Sequence, residues 1–541
     1  MNIGLVQVNP TVGDLDGNAA KILRFTEEAA RQGAELVVFP SGALTGAPLA
    51  GLGRSSAFAA DAAVHLERLA HELPVLALVS CVIETAAFPY GDNGPSYAEA
   101  ESATGFTNAL FILGDDEVQL LYAPEFEPEG SVPIVQVGDS MLAVILDGHF
   151  NTGLKLEGAN VLVEMNADIY TQEYAAPAAL GTLSRFMTIC KACQAFMVYA
   201  NLCGAADTTV FAGNSLVFAP RPRLLYAAEL DKEEICVFST ADRNGTRGAA
   251  GAAKRDGQDI IWRGIVTATR DYVRKNGFSD VVVGVSGGID SALVATAATD
   301  ALGAQHVHAV LMPGPYSSEG SITDAEALVA NLGIDAVTVP IDGPLESLHA
   351  VLGEPCGGAV DGVAAENLQA RIRAVYLMTI SNAKGWLVLN TGNKSEAAMG
   401  FSTLGGDTAG VYAPIGQVYK TDCYALAAWR AEQGPSIPQA CIDKPPSAEL
   451  YPGATDQDRL PPYDKLDAVL LDHVDGGMSA AQCVEQGQGP GLVNNVLTSL
   501  QKAEFKRRLE PMGPRVMGLS LTDDRAWPVT NAWRDASADG R

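Results

Sequence analysis

Residues 281–295, VVVGVSGGIDSALVA, bring hydroxyls, adjacent glycines and a carboxylate together between an apolar run and a helix-like run. The turn itself is Ser286, Gly287, Gly288, Ile289, Asp290 and Ser291. Two glycines let a backbone turn tightly and approach a ligand closely. Free N–H groups at a helix N-terminus then favour an anion, and the flanking serines can add hydroxyl donors. Asp290 would repel phosphates unless a divalent cation lay between them, and Mg²⁺ commonly bridges carboxylate and phosphate oxygens. The Gly-Lys-Ser/Thr ending of a Walker loop is absent. These residue types therefore point to a phosphate-bearing ligand held by backbone, hydroxyls and magnesium.

Such a turn needs a buried strand before it and a helix after it. The pattern predicts a helix over 260–275, a strand over 281–285, a helix over 291–302 and a strand over 307–312. A helix over 324–332 and a strand over 336–340 follow. This is a doubly wound α/β sequence. Upstream, apolar runs at 3–8, 36–39, 75–79, 108–113, 141–146, 161–163 and 196–201 read as strands. Helices are expected over 17–31 and 184–198, so the first half is also α/β with a covered sheet. Residues 241–257 are rich in Gly, Ala, Arg and Asp without apolar period and read as a linker. The expected organisation is 1–240, linker 241–257, 258–522, and a polar tail 523–541 that frays.

A chain of 541 residues fits two cores. The net charge of −28 argues against binding a nucleic-acid backbone, although a local pocket can still take a phosphate. The nine cysteines are scattered. Cys190 and Cys193 form a lone pair of the Cys-x-x-Cys type without a second pair or nearby His, so they read as packed thiols and not as a zinc site. The N-terminal residues lack a signal-peptide pattern and no apolar run is long enough to span a membrane. A reducing cytoplasm is the expected location.

The turn at 286–291 resembles the loop of the ATP-pyrophosphatase family, whose members cleave ATP to AMP and pyrophosphate. Further segments resemble NAD synthetases, in the same order: LMPGPYSSEGSITDAEALVANLGI at 311–334, ENLQARIRAVYLM from Glu366, WLVLNTGNKSEAAMGFSTLGGDTAG from Trp386, KPPSAELYPGATDQDRLPPYDKLD at 444–467, and FKRRLEPMGPRV at 505–516. The resemblance implies an adenine nucleotide alpha hydrolase-like, parallel-sheet domain with ATP as substrate and Mg²⁺ as cofactor. It implies that Asp290 and Glu396 hold the metal and that Thr391, Ser447 and Lys420 contact ATP. Asn367, Arg371, Glu396, Asp407 and Lys506 would contact nicotinic acid adenine dinucleotide (deamido-NAD). Asn367 and Arg371 lie one helical turn apart and share a face. Asp290, Lys420 and Lys506 are the expected catalytic groups. AMP transfer converts the substrate carboxylate to a mixed anhydride, and ammonia displaces AMP. No enzyme nucleophile is required. A homodimer built through the synthetase domains is implied as well.

Residues 1–240 resemble the nitrilase-like amidase domain of an αββα sandwich that precedes many NAD synthetases. MNIGLVQVNPTVGDLDGN, ELVVFPSGALTGAPLAGL and FMVYANLCGAADTTVFAGNSLVFAP carry that likeness. The family hydrolyses glutamine with a Glu base, a Lys and a Cys nucleophile. Ser41, Pro124 and Leu146 stand at those positions, and no lysine occurs from 22 to 154. A hydroxyl is no general base of suitable pKa, and Leu146 cannot form a thioester. The expectation is thus an ammonia-dependent synthetase with an amidase shell of structural or regulatory use. Glutamine dependence through an atypical or external ammonia source is the alternative, and a non-catalytic scaffold is a further one.

Overall fold

A period of two sorts the strand side chains of the first half. Ile3 and Leu5 face one core and Val6 another; Leu36 and Val38 separate from Val37, and Leu78 from Ala77 and Val79, in the same way. Pleated strands covered on both faces require this. The computed structural model describes residues 1–85, 105–124, 132–150, 154, 156, 158–170, 178–221, 223–243, 257–434, 437–535 and 537–539. The chain divides into two compact units, Met1–Asp256 and Gly257–Arg541. Residues 244–256 of the expected linker lie outside the described residues.

The first unit contains two six-stranded sheets. One runs Glu234–Ser239, Asn2–Gln7, Leu36–Val38, Leu76–Glu84, Phe106–Gly114, Glu117–Tyr122. The other runs Arg223–Ala227, Leu216–Ala219, Phe196–Asn201, Val161–Asn166, Ser140–Leu146, Ile134–Val137. Ile3, Leu36, Leu78 and Leu110 of the first share a buried cluster with Val144, Val163, Val198 and Val217 of the second, so the sheets pack face to face. Each such side chain contributes about 1.5–3 kcal/mol by leaving water. Helices Leu15–Arg31 and Ser56–Glu72 cover the outer face of the first sheet through Ile22 and Leu66. Helix Ala178–Cys193 covers the second through Phe186 and Ile189. The architecture is the expected αββα sandwich.

The helix expected over 184–198 stops at Cys193, and Gln194 turns the chain with a left-handed φ of 53°. Residues 196–198 belong instead to the fully buried strand Phe196–Asn201. A short apolar run reads equally as buried helix or buried strand, which explains the misplaced boundary.

The second unit is built on four parallel strands in the order Asp335–Thr338, Val307–Leu311, Val281–Gly284, Leu387–Leu389. Val281, Val282 and Val283 are wholly buried, as both-sided cover demands. The strand order reverses beside Val281–Gly284, so its carboxyl end is the crevice where open α/β sheets bind ligands. Helix Ile289–Leu302 follows directly. Helix Glu319–Leu332 begins five residues before the expected 324, because Ser318 caps it by accepting from Ser321 N at 3.1 Å. A helical layer with Leu466, Val469, Val493, Val496 and Leu500 forms a further core.

The expectation that 523–541 frays is corrected for its described residues, 523–535 and 537–539. Trp527 packs against that helical core. The Asp535 carboxylate and the Ser537 hydroxyl accept from Ala480 N and Ala481 N at 2.8 and 2.9 Å, capping helix Ala480–Glu485. Orphan helix N–H groups give this aperiodic tail its anchorage.

Candidate active site

The turn after Val281–Gly284 is held by its own side chains. Ser291 Oγ accepts from Ser286 N at 3.2 Å and donates to Gly288 O at 3.0 Å, while Gly288 N donates to Ser286 Oγ at 3.2 Å. Gly287 has φ +79°, and a Cβ there would lie 2.2 Å from Ser321 O. No other residue type fits. The turn opens into a cavity of about 360 Å³ whose wall includes Ser286, Gly288, Ile289, Asp290 and Ser291. Gly287 shapes the loop from behind, against Ser321.

Three charged groups converge at one edge of this cavity. Lys420 Nζ lies 2.5 Å from Asp290 Oδ2 and 3.1 Å from Glu396 Oε1. Asn393 Nδ2 donates to Asp290 Oδ1 at 3.2 Å, and Asn393 Oδ1 caps helix Lys394–Met399 by accepting from Glu396 N at 3.0 Å. The asparagine thus fixes one carboxylate directly and the other through its helix. Burial opposes the Lys420 charge, but Asp290 and Glu396 more than offset it and hold the ammonium well above its usual range. Burial raises Glu396, with Lys420 opposing and Asp290 adding. One ammonium between two carboxylates leaves one negative charge without a counter-charge when both are ionised, which favours a further cation or a proton there.

Among the described residues, no group of three or more His, Cys, Asp or Glu could hold a metal alone. Two converging carboxylates are nevertheless what Mg²⁺ takes from a protein when phosphates and water supply its other oxygens. Asp290 and Glu396 therefore fit that ion.

Thr391 and Ser447 also line the cavity. Ser447 Oγ already donates to Ala454 O at 2.6 Å and accepts from Glu449 N at 3.0 Å. Asp407 lies on the cavity wall. It accepts from Thr403 N, and enclosure by protein raises its carboxyl against the opposing pull of that hydrogen bond and of Lys506. Asn367 and Arg371, which the resemblance assigns to the dinucleotide, reach the loop at 403–404. The wall on their helix, Gly362–Lys384, consists of Ala370, Arg373, Ala374 and Leu377. Asn367 Oδ1 accepts from Thr403 Oγ1 at 2.7 Å and Arg371 Nε donates to Leu404 O at 3.1 Å. The pair braces the loop that presents Asp407. Lys506 Nζ similarly holds Gly400 O and Ser402 O, each at 2.7 Å.

Sequence reasoning did not single out Asn393, Arg373, Lys444 or Glu510. Lys444 Nζ pairs with Asp324 at 2.9 Å and donates to Ser321 Oγ at 3.1 Å beside the loop. Asn393 stood within TGNKSE as an N-cap followed three residues later by Glu396, a readable signal.

In the first unit the structure brings Ser41 to Asp147 and Asn108. Asn108 Nδ2 donates to Ser41 Oγ at 2.9 Å and to Asp147 Oδ2 at 2.8 Å. Asp147 follows strand Ser140–Leu146 with a left-handed φ of 50°. Leu146 points into the core between the sheets, so Asp147, not Leu146, is the side chain that meets Ser41. Burial raises the Asp147 carboxyl, with Ser41 and Asn108 opposing and Asp168 adding. Pro124 is exposed after strand Glu117–Tyr122. The Cys81 thiol is pushed up to about 12 by burial in the outer core, and Cys190 likewise to about 12, by burial and Cys193. Neither is a thiolate near neutral pH.

Comparison with known proteins follows the same division. Residues 261–510 match the NAD synthase family and residues 2–87 the carbon-nitrogen hydrolase family. A glutamine-dependent NAD(+) synthetase of Rhodobacter capsulatus is 36% identical over 572 residues, covering 99% of both chains. That of Aquifex aeolicus is 32% identical over 584 residues, covering 98% of this chain and 99% of its own. The structure of a glutamine-dependent NAD+ synthetase from Acinetobacter baumannii, in complex with ADP, matches with a TM-score of 0.69 at 26% identity over 99% of both chains. A nitrilase-like sandwich ahead of a doubly wound nucleotide-binding unit is the class that fold and site define. The chain belongs to the NAD synthetase family, in its two-domain form. The names of these relatives do not support the expectation of ammonia as donor; they carry glutamine instead.

Proposed function

We propose that the chain amidates deamido-NAD to NAD at the expense of ATP, releasing AMP and pyrophosphate, with free ammonia as nitrogen donor. In this reading 258–522 is the synthetase and 1–240 an amidase shell. The observation that carries the ligase chemistry is the convergence of Asp290, Glu396 and Lys420 beside the Ser286–Ser291 turn. Backbone N–H groups of the turn bind phosphate oxygens, and Lys420 offsets negative charge as pyrophosphate departs. Magnesium, when bound by Asp290 and Glu396, supplies further charge neutralisation. Asp407 and Lys506 orient the nicotinate end, and Asn367 and Arg371 keep their loop in place.

The donor assignment rests on Ser41, Asn108 and Asp147, a set with neither thiolate nor ammonium. The relatives' names favour a second reading, in which glutamine is the donor through an atypical or external ammonia source. Purified chain given ATP, Mg²⁺, deamido-NAD and either ammonium or glutamine separates the two. NAD and AMP from ammonium alone support the first; equal rates with glutamine, in a preparation free of other amidases, support the second. No AMP with either donor would remove both.

A further inference from the structure

We propose that Glu449 is a positioning residue for ATP: its carboxylate clasps the segment 444–450 to the first turn of helix Glu319–Leu332 and holds one wall of the cavity in place before ATP arrives. The proposal rests on ATP being the substrate that this cavity takes. Segment 444–450 lines the cavity without a break, yet none of its residues belongs to a helix or strand. Side chains must therefore fix it.

Glu449 makes three such bonds. Its Oε1 accepts from Ser318 Oγ at 2.7 Å and from Ser321 Oγ at 2.9 Å, and its Oε2 accepts from Ser318 N at 3.1 Å. In a capping box the N-cap N–H goes to a long side chain at the third helical position. Ser318 is the N-cap and Ser321 stands at that third position, so a carboxylate 128 residues further along the chain takes the N–H instead. The positive end of the helix favours it there. Glu449 reaches this place with φ +47°, and it is the sole non-glycine among the described residues of Gly257–Arg541 in the left-handed region. Glutamate has no local preference for that region; the three bonds compensate for it.

One residue carries the clasp to the phosphate turn. Ser321, whose hydroxyl meets Glu449, owns the carbonyl that a Cβ on Gly287 would strike. Lys444 Nζ donates to the same hydroxyl at 3.1 Å, and Gln369 Nε2 donates to Leu450 O at 2.9 Å, so the segment is tied at both ends as well. Ser447 lies between these points, and its Oγ accepts from Glu449 N at 3.0 Å. Turn, helix end and wall are thereby held in register. Without the clasp the wall must be ordered as ATP binds, and apparent affinity falls with the fraction of time it is in place.

The test uses the full chain with Glu449→Gly and Glu449→Gln. Glycine adopts a left-handed φ without strain, so Glu449→Gly removes the carboxylate and keeps the backbone. Glutamine keeps one oxygen for the two hydroxyls but turns a second donor toward Ser318 N. Kinetics come from pyrophosphate–ATP exchange with deamido-NAD and without ammonium, ATP affinity from equilibrium dialysis, and order of the segment from amide hydrogen exchange at 447–454. With the wall of Glu449→Gly in place about a tenth of the time, its KM and Kd for ATP are expected to rise about tenfold. Its kcat is expected to stay within about twofold of the parent's, because saturating ATP restores the wall. Glu449→Gln is expected to fall between the two. Hydrogen exchange at 447–454 is expected to quicken in both variants and to return to the parent's rate at saturating ATP. Unchanged KM and Kd, a kcat loss equal to the loss in kcat/KM, or unchanged hydrogen exchange in both variants would overturn the role of Glu449. A parent chain that binds ATP but exchanges no pyrophosphate would instead overturn the ligase reading, and dialysis of ATP with the two variants would still decide the clasp.

Discussion

Lys420 is the residue on which the ATP site turns. It is 1% exposed, and among the described residues its ion pairs are with Asp290 and Glu396. Removing one partner of a buried charge set leaves the others uncompensated, at a cost of several kcal/mol. Lys420→Met is therefore expected to lower stability by roughly 3 kcal/mol and to abolish pyrophosphate exchange. Chemical denaturation and the exchange assay check both; near-parental exchange would remove Lys420 from the site. The same scale shows what the sequence could and could not reveal. Ser286, Asp290 and Ser291 were legible because strand, glycines and helix follow in one stretch. Asp147 was not, since the chain turns there through a left-handed residue and the preceding Leu146 faces the inner core. Glu510 carries no signal of its own in sequence: it enters the cavity through a loop some hundred residues downstream of Asp407.

At the scale of elements, the turn and the helix Lys420–Glu432 make separate demands. Gly287→Ala would push a Cβ into Ser321 O and displace the phosphate loop. Misplacement by about 1 Å costs on the order of 100-fold in rate, so kcat/KM for ATP is expected to fall by that much. Gly333→Ala, also at positive φ but with open space around it, is the control and should cost about 1 kcal/mol of stability with activity kept. Equal activity losses in both would show that the contact with Ser321 is not what matters. Asp422, in the first turn of Lys420–Glu432, is pushed up from 3.8 to about 6 by burial and Asp467, with Lys394 opposing. Between these values the folded chain keeps a proton that the unfolded chain releases. The associated stability is full below the lower value and lost as pH rises through about 6, by about 3 kcal/mol. Asp422→Asn escapes that loss, so its thermal midpoint should gain on the parent's from pH 4 to 6 and hold the gain above. A pH-independent difference would contradict it. Helix spacing correctly placed Asn367 and Arg371 on one face; which partner that face meets is a tertiary fact, and the partner is the 403–404 loop.

The whole molecule joins a nitrilase-like unit, in which Ser41, Asn108 and Asp147 meet, to a unit in which Asp290, Glu396 and Lys420 converge. The period-two and strand–loop–helix patterns made both architectures legible, whereas the anchored tail was not, because its contacts are single caps and one tryptophan without periodicity. No helix among the described residues is long and apolar enough to cross a membrane. The most direct measurement offers the chain ¹⁵N-ammonium and unlabelled glutamine together, with ATP, Mg²⁺ and deamido-NAD, and reads the isotope in the NAD amide by mass spectrometry. The account predicts label at the fraction expected if all nitrogen came from the ammonium pool, unchanged as glutamine is raised. Dilution of the label in proportion to glutamine, with glutamate formed in step, would contradict it.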